Sequence, residues 1–390
     1  MSKEATIWIV IAIYAIFMVV IGVVNSKNSG GMASFTVGGR NAGAWISALS
    51  YGTAYFSAVM FIGYSGGSGW SYGLYATLVG IGNAVFGSLL AWMVLAGRTR
   101  EVTRRLKIKS MPQLFEMRYQ SNGMKIFSCI VIFIFLLPYS ASVYKGLTSV
   151  CSILLNIDER VCMIMIAIAS ALVLVLGGYV ATLKADFVQG IVMMFGVAAL
   201  VVMVVICPQV GGLTEGVRRM SDYMKESGMS PMSSQTALSL VATILMTSFG
   251  TWGLPQMVQK FYAIKSGPAV KQGAIISTLF AFVVAGGSYF LGGFGRLYAG
   301  QVEMGANGQP VYDSIIPTML STLPDLLIGV VIVLVLSASM STLSSLVLTS
   351  SSTLTLDLIK GNVVKNMGEK QQLRYMRVLL VVFVIISAAL

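Results

Sequence analysis

The sequence predicts an all-α integral membrane protein, and its composition and apolar runs are the observations that predict it. Of its 390 residues, 56% are hydrophobic and only 10% are charged, and the mean hydropathy is +0.83. Soluble domains carry about a quarter charged residues, so the lipid bilayer is the implied solvent. We expect one transmembrane domain over residues 1–390.

Apolar runs long enough to form membrane-spanning helices recur along the whole chain. A transmembrane helix needs about 20 mostly apolar residues. Nine runs meet this requirement and a tenth meets it in part, at residues 6–25, 44–63, 73–96, 126–155, 161–178, 186–207, 236–255, 268–293, 325–350 and 377–390. The first run is too long for a cleavable signal peptide and lacks a small-residue cleavage site, so we expect a retained helix.

The basic residues indicate orientation rather than a nucleic-acid partner. The net charge is +12, but the Lys and Arg residues are scattered among the loops between apolar runs. When the loops are assigned to alternate sides, 19 of the 26 basic residues fall on one side. Cytoplasmic loops retain positive charge, so we expect a protein of the cell membrane with its N-terminus outside and no nucleic-acid partner.

The usual chemistry of enzymes is missing from the sequence. There is no His, no GxxxxGK[ST] loop and no nucleophile paired with a base, and the four Cys residues show no metal-ligand spacing. Polar and glycine-rich interruptions inside apolar runs remain, and transporters and channels place ion and substrate sites at such interruptions. We therefore expect a protein that is not an enzyme.

The second apolar run has an interruption at its centre. There a helix-weakening glycine, Gly52, precedes the hydroxyls of Thr53 and Ser57. If the helix unwinds here, the carbonyls of Thr53 and Phe56 lose their intrahelical partners and can face a cation. The alternative is that the small residues only permit close helix packing.

The seventh run is interrupted in a comparable way, in the stretch TSFGTWGLPQ at 247–256. Pro255 removes a backbone donor and clashes with the preceding turn, which leaves Thr251 and its neighbours free for other partners. The two interrupted runs are five segments apart. Transporters built from inverted repeats place broken helices at corresponding positions of the two halves and bind substrate between them.

The ninth run carries hydroxyls on one helical face. Ala338, Ser341, Thr342 and Ser345 follow one another at spacings of three, one and three residues and so share that face. Facing the broken second helix, these groups would offer several neutral oxygens to a small hard cation. Sodium suits such ligands better than calcium, which usually recruits carboxylates.

Several motifs of this chain resemble those of the sodium/solute symporter family, over nearly the whole chain. The motifs are Val37-Gly38-Gly39-Arg40, Gly177-Gly178 with Lys184-Ala185-Asp186-Phe187-Val188-Gln189, Gly253-Leu254-Pro255-Gln256 with Lys265-Ser266, Gly292 to Arg296, and Ser339-Met340-Ser341-Thr342-Leu343-Ser344-Ser345 with Asp357 to Lys360. Gln256 stands where His is common in the family.

The resemblance implies a LeuT-type fold. Two five-helix inverted repeats, at 44–207 and 236–390, would follow one extra N-terminal helix. The family's sodium site carries over onto the backbone carbonyls of Thr53, Phe56 and Ala338 and the hydroxyls of Ser341 and Thr342. Thr53 stands where Ala is usual in the family, and Phe56 stands where an aliphatic residue is usual. Because the ligands at these positions are backbone carbonyls, neither change should disturb them. Na+ is the implied coupling ion.

Two further residues bear on the number of sodium ions. In the family, the residue matching Asp186 lies near the sodium route, and the residue matching Ser345 neighbours a second sodium position in some members. The resemblance leaves one or two ions open. From the residues alone, Asp186 has two interpretations, an interfacial salt bridge with Lys184 or a cation relay at membrane depth.

The substrate is expected between the two broken helices. Its lining would be Tyr55, Ser57, Thr251, Trp252 and Gln256, because aromatic faces and freed backbone groups are usual in small-molecule sites; helix packing is the alternative for the aromatic residues. Lys145, in the long fourth segment, either snorkels to an interface or faces the cavity. In the second case it favours an amino acid or organic acid as the small organic solute.

The tenth segment is the main departure from the family pattern. After Arg377 only 13 apolar residues remain, about 20 Å of helix against roughly 30 Å of hydrocarbon. The second repeat is therefore expected to be C-terminally incomplete, in a fragment of a longer carrier or in a truncated, inactive one. The function predicted is sodium-coupled symport by alternating access. The alternative from another class is a membrane sensor or receptor with a transporter-like domain.

Overall fold

The computed structural model describes residues 3–26, 32–155, 157–227, 233–306, 308–364 and 366–390. Two basic residues that were counted for orientation, Lys27 and Lys365, lie outside the described residues. The described chain is predominantly helical, as its composition predicts.

Fourteen helices organise the described residues. They are α1 (Lys3–Ser26), α2 (Ala44–Tyr55), α3 (59–72), α4 (73–105), α5 (Met111–Tyr119), α6 (Asn122–Leu155), α7 (Glu159–Ile206), α8 (Leu213–Glu226), α9 (Ser234–Phe249), α10 (Pro255–Tyr262), α11 (Gly267–Gly292), α12 (Tyr312–Ser321), α13 (325–359) and α14 (Glu369–Ala389). Short single-turn pieces such as Met32–Val37 and Gly38–Arg40 connect some of them.

Six stretches of the described chain are long and apolar enough to cross a membrane. They are Val59–Arg105, Asn122–Ser152, Gly178–Ile206, Gly267–Gly292, Leu326–Ile359 and Glu369–Ala389. Two shorter apolar helices, Trp8–Ile21 and Ser234–Phe249, accompany them. The all-α membrane fold predicted from the sequence is confirmed. The two interrupted runs, at 44–63 and 236–255, do not each form one long helix.

Both predicted helix breaks are present. Helix α2 ends at Tyr55, and Phe56 takes an extended conformation with φ −103° and ψ 94° before the chain turns helical again. Helix α9 ends at Phe249, and α10 begins at Pro255, where the absent backbone N–H costs nothing. Each break leaves backbone groups at a helix end without intrahelical partners.

The fifth and sixth segments are one helix with a bend, rather than two helices separated by a loop. Helix α7 runs from Glu159 to Ile206, and only Gly178, with φ 59° and ψ −166°, leaves the helical region. A side chain at Gly178 would overlap the ring of Phe35 as well as strain the backbone. The polar residues after the bend, including Asp186, therefore lie within a helix.

The tenth segment forms a longer helix than its 13 apolar residues indicate, so the prediction of a helix of about 20 Å was wrong; the incompleteness of the second repeat stays a prediction. Helix α14 begins at Glu369 and has 21 residues, which at 1.5 Å per residue gives about 31 Å. Its first turns carry exposed charges on one side, such as Arg374 and Arg377, while Gln372 and Met376 are buried on the other. Because of these charges, the apolar run in the sequence begins only after Arg377, although the helix begins earlier, at Glu369.

Helices α7 and α13 form the centre of the bundle. They pack extensively against each other, and α1 lies against both. Helix α2 is enclosed by α7, α10, α11 and α13, so most of its side chains are buried. The hydroxyl-rich face of α13 and the broken end of α2 therefore meet in the interior of the bundle.

Helices α3 and α11 cross with their backbones almost in contact. A methyl group on Gly69 would overlap the carbonyl of Gly292, and one on Gly292 would overlap the carbonyl of Ser65. Small residues at such crossings are typical of membrane helix packing. By contrast, a methyl group on Gly286 of the same helix α11 would meet no atom within 4 Å.

The Gly292→Ala variant should therefore be less stable by about 1–3 kcal/mol, because neither backbone at the crossing can retreat without displacing its helix. A lower thermal midpoint in detergent, measured by loss of the monodisperse elution peak, checks this. Gly286→Ala is the matched control and should retain its midpoint. Equal midpoints for the two variants would contradict the close crossing.

Candidate functional site

A cluster of oxygens joins the broken end of α2 to α13. The hydroxyl of Thr342 donates to the carbonyl of Thr53 at 3.2 Å and to the carbonyl of Ala338 at 3.1 Å. The hydroxyl oxygen of Ser341 lies 2.7 Å from Oγ1 of Thr53. All four residues are at most 1% exposed, so the cluster is closed to lipid and water.

Four of the five residues predicted to hold sodium thus come together. The fifth, Phe56, lies at the break itself, where its ring stacks on Tyr55 at 4.2 Å between centroids. Within the described residues no hydrogen bond links Phe56 directly to the other four, although its extended backbone follows the end of α2. Its role as a carbonyl ligand stays a prediction.

The donor set fits a small hard cation. Carbonyl and hydroxyl oxygens from two helices converge, and no carboxylate stands among these four residues. The hydroxyl protons of Ser341 and Thr342 can rotate, and each oxygen has two lone pairs. Thr53, Ala338, Ser341 and Thr342 would hold Na+, whose charge would replace the hydroxyl proton that Thr342 now directs at the two carbonyls.

Asp186 lies directly behind this cluster. Its Oδ1 lies 2.7 Å from Oγ of Ser341, and its Oδ2 lies 2.9 Å from Nζ of Lys260. The hydroxyl of Ser50 also donates to Oδ2. Asp186 and Lys260 are 0% and 1% exposed. Because a hydroxyl has one proton and a carboxylate is its strongest acceptor here, Ser341 directs that proton to Asp186 and leaves its lone pairs for a cation.

This arrangement corrects two expectations. The partner of Asp186 is Lys260 on α10, not Lys184, and the pair is buried rather than interfacial. Lys260 was also counted among the basic residues of the loops, whereas it lies inside the bundle, with its ammonium 5.4 Å from the ring centroid of Tyr179. Ser345, one turn beyond Ser341, is 3% exposed, and its hydroxyl has no hydrogen-bond partner in the described part of the chain.

A cavity of about 290 Å³ lies between the two broken helices. Three of the residues predicted to line a substrate site, Tyr55, Ser57 and Thr251, line it. Its other lining residues are Val59, Met60, Tyr64, Asn83, Tyr139, Ser142, Met246, Thr247, Leu254 and Tyr289. Tyr64 is 49% exposed, whereas Tyr55, near the break, is buried.

Hydrogen bonds tie the broken helices together around the cavity. The hydroxyl of Tyr55 donates to the carbonyl of Thr247 at 2.9 Å. The hydroxyls of Thr247 and Ser248 both donate to the side-chain oxygen of Asn83, at 2.9 and 3.0 Å. The buried hydroxyl of Tyr289 has no partner within the described residues. The cavity therefore presents neutral dipoles.

Three residues predicted for the substrate site are not among those that line the cavity. Trp252 donates from Nε1 to the carbonyl of Phe86 at 3.0 Å. Gln256, in the first turn of α10, is 1% exposed, and neither polar atom of its side chain has a partner in the described chain. Lys145 lies on α6 with its side chain exposed. The interpretation of Lys145 as a cation facing the cavity has no support from this position.

A larger apolar groove of about 640 Å³ runs beside the cavity and shares Tyr139 and Leu254 with it. Its lining is almost wholly apolar, with residues such as Phe115, Phe127 and Phe135 from α5 and α6. Small-molecule sites combine apolar walls with a few convergent polar groups. The smaller cavity has such groups, and we take it as the candidate substrate site.

Arginine side chains join the segment before α2, the end of α4 and the loop after α10. Arg100 donates to the carbonyls of Ile264 and Lys265, and Arg104 also donates to that of Lys265. Arg40 donates to the carbonyl of Ile108, and burial lowers the pKa of its guanidinium. Ala42 and Ile264 form a backbone bridge between the same segments. We call this the arginine-rich end.

Sequence reasoning missed Lys260, Ser50 and Asn83 as site residues. Ser50 stands three residues before Thr53 and so shares a helical face with it, a signal that could have been used. Lys260 follows the break by five residues, and its burial depends on the chain remaining helical through α10. Asn83 lies in an otherwise apolar run, where a polar amide usually has a partner.

The buried ion pair leads to a stability prediction. Asp186→Asn should lower the free energy of unfolding by about 3–5 kcal/mol, because it leaves the ammonium of Lys260 buried without a compensating charge. Adding Lys260→Met to Asp186→Asn should recover much of the loss. Thermal midpoints of the purified variants check this, and a double variant less stable than Asp186→Asn would contradict it.

Comparisons with known proteins identify the family of this chain. The profile of the Sodium:solute symporter family matches residues 35–390. The sodium/proline symporter of Escherichia coli (strain K12) is 25% identical over 402 residues, covering 100% of this chain and 78% of the relative. The osmoregulated proline transporter OpuE of Bacillus subtilis (strain 168) is 26% identical over 383 residues, covering 97% of this chain and 76% of the relative.

A solved structure shows the same fold. It is a substrate-bound, outward-open Na+-coupled sialic acid symporter, described as revealing a novel Na+ site, and it aligns with a TM-score of 0.81 at 17% identity, over 98% of this chain and 81% of that one. The chain therefore belongs to the sodium:solute symporter family: it is a multi-pass membrane carrier that couples transport of a small organic solute to sodium, and not an enzyme.

Proposed function

We propose that this carrier moves a small zwitterionic amino acid, with proline as the first candidate, together with Na+ held by Thr53, Phe56, Ala338, Ser341 and Thr342. The observation that carries the sodium site is the contact of the Thr342 hydroxyl with the carbonyls of Thr53 and Ala338. A cation that completes ligands from α2 and α13 favours the state in which these helices are apposed. Sodium then raises the affinity for a solute bound beside α2.

The lining of the cavity favours a small solute with separated, balanced charges. None of the residues that line it is charged, and its volume of about 290 Å³ suits an amino acid rather than a large sugar acid. The end of α9 and the start of α10 face each other across the break. A helix N-terminus favours a carboxylate and a C-terminus favours an ammonium.

The named relatives support the same class of solute. Two of the relatives compared above are named sodium/proline symporter and osmoregulated proline transporter. Lys145, which in the sequence favoured a solute with a carboxylate, is exposed and does not line the cavity. The proposal of an amino acid therefore depends on the dipoles of the helix ends at the α9–α10 break and on the names of these relatives.

The placement of the closed and open ends supports alternating access. We infer that the arginine-rich end is cytoplasmic, in the cell membrane, with the N-terminus outside, because basic residues concentrate there. Tyr64, which lines the cavity, is half-exposed, and the bonds of Arg40, Arg100 and Arg104 would close the cytoplasmic side. The inverted repeats at 44–207 and 236–390 would rock around the sodium and solute sites.

Removing a sodium ligand should weaken the response to sodium. Ser341→Ala and Thr342→Ala should each raise the Na+ concentration for half-maximal proline uptake roughly tenfold or more, because each variant loses an oxygen that contacts the ion. Uptake into proteoliposomes measures this. Ser352→Ala is the control, since among the described residues its hydroxyl bonds the carbonyl of Thr349, two turns beyond the sodium cluster on α13.

If uptake is unchanged when choline replaces sodium, or if both variants match the unmodified protein, the sodium site is wrong. If proline binds but does not exchange across the membrane in counterflow, the protein is a receptor rather than a carrier.

A substitution of Gln256 can distinguish a loss of substrate contact from a loss of stability. Gln256 does not line the cavity in this structure, and we propose that its buried amide, unpaired within the described residues, meets the solute when the broken helices move during alternating access. Gln256→Leu should then raise the KM for proline about tenfold, while stability stays the same or rises, because an unsatisfied buried polar group is removed. Uptake kinetics and thermal midpoints are measured together.

Gln259→Leu, one turn along α10, is the matched control. Its amide donates to the carbonyl of Thr36 at 2.9 Å and accepts from Thr349 at 2.7 Å. Gln259→Leu should lower the thermal midpoint, because it leaves these two bonding partners unpaired, and should change the KM for proline less than Gln256→Leu does. A Gln256→Leu variant with unchanged KM would remove Gln256 from the substrate site.

A further inference from the structure

A buried ammonium group lies beside the proposed sodium site. Nζ of Lys260 on α10 is 2.9 Å from Oδ2 of Asp186, and both side chains are almost completely buried. Buried charges are retained in membrane proteins chiefly where they act on an ion or substrate pathway. The hydroxyl of Ser341 connects this pair to the oxygen cluster of α2 and α13, so the pair can act on the sodium site.

The carboxylate of Asp186 is fully engaged. Oδ2 accepts from Lys260 and from Ser50, and Oδ1 lies 2.7 Å from the hydroxyl of Ser341. These donors come from α10, α2 and α13, so four helices meet at one acid. The charge of Asp186 is balanced by the protein's own cation.

Without the ammonium, the same place would suit a second small cation. Asp186 would supply a carboxylate and Ser341 a hydroxyl oxygen 2.7 Å from it, and Ser345, one turn further along the same face of α13, would add a second hydroxyl. The hydroxyl of Ser345 is buried and has no partner in the described part of the chain. Hard cations bind such sets of a carboxylate and neutral oxygens. In this structure the ammonium of Lys260 contacts Asp186 in place of such a cation.

We propose that Lys260 is a tethered cation that permanently takes the place of a second sodium ion at Asp186, so that this carrier moves one Na+ per solute. The proposal rests on the proposed function of the Thr53, Ala338, Ser341 and Thr342 site. The ammonium neutralises Asp186 and repels a further cation. It also keeps Asp186 fixed as the acceptor for the Ser341 proton, which leaves the lone pairs of Ser341 to the one sodium ion.

The number of ions is measured on the unmodified protein. In proteoliposomes with set gradients of Na+ and proline, the membrane potential at which net flux vanishes gives the ratio of sodium to solute. We expect one sodium per proline. A ratio of two overturns the inference while leaving the proposed function intact, whereas proline flux that ignores sodium overturns the proposed function.

The role of Lys260 is tested by removing its charge. In Lys260→Met, Asp186 should recruit a second Na+, so the Hill coefficient for sodium should rise from about one toward about two, and the flux ratio should rise with it. Adding Ser345→Ala to Lys260→Met should raise the sodium concentration needed by the second ion. Lys260→Arg keeps the charge and should keep a ratio of one.

A folded Lys260→Met variant that still binds a single sodium ion contradicts the inference. Folding is checked by the elution profile and the thermal midpoint. If Lys260→Met does not fold, the flux ratio of the unmodified protein decides the question alone.

Discussion

The contact between the Thr342 hydroxyl and the carbonyl at the broken end of α2 is the interaction on which the rest of this structure depends. A backbone carbonyl released from a helix inside a membrane must find a partner, because no water is available in the bilayer core. Here a hydroxyl of α13 supplies it. The same hydroxyl can turn its lone pairs to a cation, so a group that satisfies the break in one state becomes a ligand in another.

The buried charges complete this arrangement. An isolated carboxylate at this depth would be strongly unfavourable, and an ion pair offsets the cost only with good geometry and further hydrogen bonds. Asp186 has both, with Lys260 at 2.9 Å and hydroxyls of Ser50 and Ser341 in reach. The pair connects the half-helix α10 to the sodium cluster, so the two broken segments share one polar core through α7 and α13.

Much of this could be predicted from local sequence. Gly52 and Pro255 indicated the two breaks, and the spacing of Ala338, Ser341 and Thr342 indicated a hydroxyl face, because helix periodicity and backbone chemistry are local properties. The start of α14 and the burial of Lys260 could not be predicted in this way. Both depend on which side of a helix faces protein, and a hydropathy window averages over all sides. The exposure of Lys145 and the bond of Trp252 to Phe86 likewise depend on packing between distant segments.

The most direct test of the sodium site is hydrogen–deuterium exchange of the protein in lipid nanodiscs, in sodium and in choline. Backbone amides around the break of α2, residues 50–60, and around the hydroxyl face of α13, residues 336–346, are compared. We predict that Na+ slows exchange in both stretches together, since one ion joins them, and that the Thr342→Ala variant loses the effect. Slowing in neither stretch, or only in loops away from the break, would contradict it.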